Sequence, residues 1–154
     1  MSNEIQLKTT INGIEYDLTV PARLLASDFL RDNLNLTGTH VGCEHGICGS
    51  CTIKIDGLTA RSCLKFAVQL DGKKVETVES FKEKPETRNI LEKFKAHHSL
   101  QCGFCTPGFL MIIDELLKSK IKFSENEIRE ALSGNLCRCT CLLYTSPSPR
   151  DTNP

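Results

Sequence analysis

The chain has no excess of charge of either sign. Its 19 Lys and Arg residues balance 19 Asp and Glu, which leaves a formal net charge of zero. A nucleic-acid binder is expected to carry a basic footprint, and none is present. Long apolar runs are also missing. The stretch Phe109 to Ile113 is far too short to span a bilayer, so no membrane span is expected. The N-terminus, Met1-Ser2-Asn3-Glu4, lacks the charged-then-apolar pattern of a secretory signal, and a cytoplasmic location is expected. There is no C-x-x-C-H motif for covalent haem, no Ser-His-Asp set, no phosphate loop, no flavin fingerprint and no internal repeat. No catalytic residue is therefore assigned. At 154 residues and 40% apolar content the chain suits one ordinary domain or two small ones, and disorder is not expected.

Cysteine is abundant, with nine in all. Without a secretory signal, clustered cysteines favour metal or iron–sulfur ligation over disulfides. Eight of them form two quartets. Cys43, Cys48, Cys51 and Cys63 are spaced C-x4-C-x2-C-x11-C, the plant-type pattern for a [2Fe–2S] cluster. Gly42, Gly46 and Gly49 interleave with them, and such small residues let backbone N–H groups approach bridging sulfides. The x4 gap suits an all-cysteine zinc site poorly, because zinc knuckles are usually built from two C-x2-C pairs. Cys43-Glu44-His45 begins a Rieske-like pattern, but no second half follows, so His45 is expected to face solvent. Cys102, Cys105, Cys137 and Cys139 are spaced C-x2-C-x31-C-x-C, and on spacing alone this set suits zinc as well as a second cluster. Two ligands at Cys137 and Cys139 require a tight turn with Arg138 pointing away. Two one-electron centres in series would make a wire.

Periodicity divides the chain. Residues 4–20 alternate as two half-buried strands around Asn12-Gly13, a type I′ hairpin signal. Leu24, Leu25, Asp28, Phe29, Leu30 and Leu34 suggest a short amphipathic helix. Residues 52–56 and 58–62 form a second expected hairpin across Asp56-Gly57, and Val75 to Val78 a last strand. A small mixed domain over 1–79 is expected, then a polar connection over 80–88 and a helical domain over 89–140. In the latter, Ile90, Leu91, Phe94 and His98 share a face, and Pro107 opens a helix running from Gly108 to Ser119. Ser124 to Glu127 form a capping box, and Gly134-Asn135 a helix end. His97-His98 are read as helix surface or packing, Phe94, Phe104 and Phe109 as core, and Lys82, Glu83, Lys84 and Glu86 as a solvated connection. From Cys141 onward the text reads as a translated transposase sequencing adapter. Residues 141–154 are therefore expected to be a non-native tail, with Cys141 no ligand and the natural chain continuing differently after Thr140.

Gly38 to Cys51 with Arg61-Ser62-Cys63, Gln101 to Gly108, and Gly134 to Thr140 together resemble the small iron–sulfur subunit of molybdenum hydroxylases, the xanthine dehydrogenase and aerobic carbon monoxide dehydrogenase family. The resemblance spans residues 4–140. It implies an α+β chain, with a β-grasp, plant-type ferredoxin-like domain followed by an all-α helical-bundle [2Fe–2S] domain. It implies two [2Fe–2S] clusters, on Cys43, Cys48, Cys51 and Cys63 and on Cys102, Cys105, Cys137 and Cys139. The first would lie nearer a flavin, the second nearer a molybdopterin that Gln101 and Cys139 approach. Molybdopterin and FAD would sit on a large and a medium partner subunit, and this chain would pass electrons between them without turning over substrate itself. After position 140 the sequence departs from the family pattern, which concerns the segment closing over the second cluster and a fourth helix. Two other readings stand beside this one: a stand-alone ferredoxin-type shuttle and a zinc-stabilised interaction module.

Overall fold

A computed structural model describes residues 3–82 and 84–139. Thr140, Cys141 and the rest of the expected tail lie outside the described residues.

Strands β1 (Glu4–Ile11) and β2 (Ile14–Pro21) pair antiparallel. Their turn residues Asn12 and Gly13 take φ of 51° and 85°, as the type I′ turn requires. Leu7, Thr9 and Ile11 face inward from β1. On β2 the expected apolar face is only half realised: Val20 is buried, whereas Ile14 and Leu18 remain exposed. The reason is position, since β2 is the edge of the sheet. Helix α1 (Ala26–Asp28) runs on into a π-helical turn (Phe29–Asn33) that buries Phe29 and Leu30. After a long loop come β3 (Thr52–Ile55), β4 (Leu58–Arg61) and β5 (Lys74–Glu76). The five strands lie in the order β2-β1-β5-β3-β4. Among the described strands only β1 and β5 run parallel. One core, centred on Leu7, Ile11, Phe29, Leu30, Ile53, Leu70 and Val75, fills the space between sheet and α1.

The last strand is shorter than its sequence suggests. Asn12 intervenes: its side chain accepts from the Thr77 N–H at 2.8 Å and donates to the Thr77 hydroxyl at 2.8 Å. That takes Thr77 out of the ladder, and Val78–Lys82 coil into a 3₁₀ turn. The polar connection is also shorter than its composition implies. Helix α2 (Pro85–Ala96) starts inside it, with Pro85 in the first turn, where its missing N–H costs nothing. Phe81 from the preceding turn joins Ile90, Leu110 and Met111 in a second core. Helices α3 (Thr106–Lys118) and α4 (Glu125–Leu132) complete the described structure. Ser124 and Glu127 form the expected capping box. His98 does not share the α2 face; it lies past the helix end at φ 49° and is exposed. The architecture is thus a mixed sheet with helices, and α3 packs against β3.

Candidate metal centres

The first quartet is assembled by a loop and a hairpin. The Asp56-Gly57 turn sets the register Ile55↔Leu58 and so Thr52↔Arg61. One step beyond the strand ends, the Ser62 N–H and hydroxyl both donate to the Cys51 carbonyl, at 3.2 and 2.8 Å. Cys63 is thereby delivered beside Cys51, both buried, and their side chains touch. The eleven-residue gap is the length of that hairpin.

Cys43 and Cys48 lie on the loop itself. The Cys48 N–H points at the Cys43 sulfur at 3.4 Å. That donor, with the backbone N–H of His45 and the Cys48 side chain, draws the Cys43 thiol down to about 6. This ring of donors is what a negatively charged metal–sulfur core needs. Burial, then the neighbouring Cys51, pushes Cys63 up to about 11. Gly46 and Gly49 hold φ of 83° and 78°, which side-chain-bearing residues rarely adopt. His45 is exposed, as expected, with its ring nitrogen on the Cys43 carbonyl.

The second quartet joins the ends of two helices. Gly103, at φ 78°, turns the chain between Cys102 and Cys105, and Cys105 caps α3. Cys137 and Cys139 follow α4. The Cys139 and Cys102 sulfurs are 3.3 Å apart, and the Cys105 and Cys137 side chains meet in the interior. Burial, then Cys137, pushes Cys105 up to about 12, whereas the Phe104 N–H lowers Cys102. Arg138 is exposed and points out of the turn. No disulfide joins any of the eight cysteines.

The sulfurs therefore meet in twos: Cys43 with Cys48, Cys51 with Cys63, Cys102 with Cys139, Cys105 with Cys137. A mononuclear zinc site draws four donors around one point. Among the described residues no three His, Cys, Asp or Glu side chains converge that way. Pairwise approach suits a sulfide-bridged core of two irons, each taking two thiolates, so these residues fit a [2Fe–2S] group.

The two quartets are neighbours. The Leu136 N–H donates to the Cys48 carbonyl at 2.9 Å, which ties the residue before Cys137 to the first loop. Arg61 Nη2 donates to the Gly134 carbonyl at 2.8 Å. Phe104, expected in the core, is instead exposed and stacked on His40 at 4.7 Å, with the His40 ring nitrogen 2.7 Å from the Phe104 carbonyl. The tight turn between Cys102 and Cys105 aims that ring across the first loop. At the far edge of the second quartet Gln101 Nε2 donates to the Cys139 carbonyl at 3.4 Å, so those two expected residues share one exposed corner.

Periodicity alone did not reveal Lys54. It alternates with Ile53 and Ile55 as an outward lysine should, yet it is 1% exposed. Helix α3 covers it. Its ammonium pairs with Asp114 and lies 3.0 Å from Glu76 Oε2, off the line of a good hydrogen bond. Lys118 and Lys84 complete the network, at 2.9 Å from Asp114 and Glu76 respectively. Lys84, read as solvated, belongs to it.

Two family models match, one described as "[2Fe-2S] binding domain" over residues 77–144 and one as "2Fe-2S iron-sulfur cluster binding domain" over 32–99. Fold and site thus define an iron–sulfur protein. The chain is 50% identical to the caffeine dehydrogenase subunit gamma of Pseudomonas sp. (strain CBB1), covering 91% of this chain and 85% of that one. It is 48% identical to the nicotine 6-hydroxylase small subunit of Paenarthrobacter nicotinovorans, covering 90% and 84%. The crystal structure of quinoline 2-oxidoreductase from Pseudomonas putida 86 superposes with a TM-score of 0.85 at 46% identity, over 90% of this chain and 86% of that chain. The protein belongs to the small iron–sulfur subunits of the molybdenum hydroxylase family, components of oxidoreductase complexes. Among the described residues no helix is long and apolar enough to cross a membrane.

Proposed function

We propose that this chain is a two-centre electron conductor. Cys43, Cys48, Cys51 and Cys63 hold one [2Fe–2S] cluster, in a β-grasp ferredoxin-like unit over 1–79. Cys102, Cys105, Cys137 and Cys139 hold the other, in a helical unit over 89–140. The observation that carries the reading is the pairwise convergence of all eight sulfurs in two adjacent sites. Bound clusters supply one-electron acceptance at each site, so two sites accommodate the electron pair a substrate releases. The chain's own groups wrap the cores: N–H donors at Cys43 spread negative charge, and burial at Cys51, Cys63 and Cys137 keeps water out.

Electrons enter from a molybdopterin on a large subunit at the Gln101–Cys139 corner. They leave to an FAD on a medium subunit near the first loop. Ile47, Leu64 and Leu136 are exposed apolar side chains around that loop, which suits burial against a partner. The work is done inside the cell, in the cytoplasm.

A chain tagged in its native host and purified under mild conditions tests the assembly. Molybdenum and flavin absorbance are expected to co-elute with it. Recovery of the loaded chain alone, freely exchanging electrons with several acceptors, would instead support a stand-alone shuttle.

A further inference from the structure

Asn135 is 5% exposed, and neither its amide nitrogen nor its amide oxygen has a hydrogen-bond partner. It is not a metal-ligating residue, and a buried amide left so is costly. Its surroundings show what it does. A Cβ placed on Gly49 would lie 2.1 Å from Asn135 Oδ1 and 2.6 Å from its Cγ. A Cβ on Gly108 would lie 2.7 Å from Asn135 Nδ2 and 2.2 Å from the Gly49 carbonyl oxygen. Three segments therefore close on this one side chain. They are the loop between Cys48 and Cys51, the first turn of α3 after Cys105, and the turn leading to Cys137. Hydrogen bonds hold the wedge in place: Asn135 N–H to the Leu132 carbonyl at 3.0 Å, Leu136 N–H to the Cys48 carbonyl, and the Arg61 guanidinium to the Gly134 carbonyl.

We infer that Asn135 is a positioning residue, the spacer that fixes how closely the two iron–sulfur centres approach and how strongly they couple. This rests on the two-cluster reading above. The glycines on either side are the counterpart of the wedge, because any side chain at Gly49 or Gly108 would compete for its volume.

The test uses the full chain loaded anaerobically with iron and sulfide. Iron content is measured first, then the magnetic splitting between the two reduced centres in low-temperature EPR spectra. Asn135→Ala is expected to retain four irons per chain and to lose splitting, because the gap lets the loops shift. Gly49→Ala is expected to lose splitting too, by pushing from the other side. Asn135→Leu, which keeps the branch at Cγ and brings no buried charge, is expected to retain the splitting. Wild-type splitting in Asn135→Ala with full iron overturns the inference. Should Asn135→Ala lose iron, Asn135→Ser carries the same test, and iron loss in both overturns the spacer in favour of simple support of one site. Fewer than four irons in the unaltered chain would sink the two-cluster reading itself, independently of any variant.

Discussion

Among single residues, the cysteines divide by the charge they tolerate before any metal arrives. Cys43 sits in a ring of N–H donors and is held near 6, so at pH 7 it is largely thiolate. Cys63 and Cys105 are held as thiols by burial, near 11 and 12. A metal must displace those protons when it binds. With iron removed by chelation, iodoacetamide at pH 7 is expected to label Cys43 first and Cys63 and Cys105 last, as peptide mapping would show. Equal labelling would remove the N–H ring from the account. That Cys43, Cys48 and Cys51 lie together was legible in the sequence because they share nine residues of one loop. Phe104 and Lys54 were not, because what faces them comes from segments about sixty residues away: His40 for the one, Asp114 for the other.

Whole elements carry these residues to their places. Strand β3 leaves directly from Cys51 and α3 directly from Cys105, so whatever joins β3 to α3 ties one quartet to the other. Lys54 and Asp114 make that joint. Buried ion pairs contribute little net stability, but stranding one partner is costly. Asp114→Leu leaves Lys54 with Glu76 alone and is expected to destabilise by about 3 kcal/mol in urea unfolding. Lys54→Met should cost less, because Lys118 still neutralises Asp114. Lys54→Met/Asp114→Leu should recover most of the loss, and an additive double variant would argue against a direct pair.

Glu76 gives this joint a pH dependence. Burial alone would raise its carboxyl, but Lys84 and Lys54 outweigh that and hold it near 2 against an ordinary 4.5. A lowered carboxyl contributes stability above its unfolded value and loses it as pH falls through the folded one. The gap in unfolding midpoint between the unaltered chain and Glu76→Gln should therefore be full above about pH 5 and shrink as pH falls from 4.5 toward 2. A constant gap across that range would mean that the charge plays no part. Boundaries of elements were the less legible part of the fold. The Asn-Gly and Asp-Gly hairpins and the Ser124 capping box were readable because each is written within four residues. The early end of β5 was not, because Asn12, from the other end of the domain, takes the hydrogen bond that would have continued it.

The molecule as a whole holds two adjacent sulfur-lined sites joined by a hydrogen bond and by the Asn135 side chain packed between them. Relatives carry the same unit in two settings. In the caffeine and nicotine enzymes it is a separate subunit, whereas in the aldehyde oxidoreductase of Desulfovibrio gigas it matches 16% of a longer chain at a TM-score of 0.80. Adjacency of the quartets was not written in their spacing, since it arises where the turn after α4 closes on the Cys48 loop. The central claim is that each quartet holds a one-electron centre. Spin quantitation of the fully reduced, loaded chain by low-temperature EPR tests it most directly. Two [2Fe–2S] centres predict two unpaired spins per chain, in two resolvable signals. A single spin, or a silent zinc-filled protein, would contradict it.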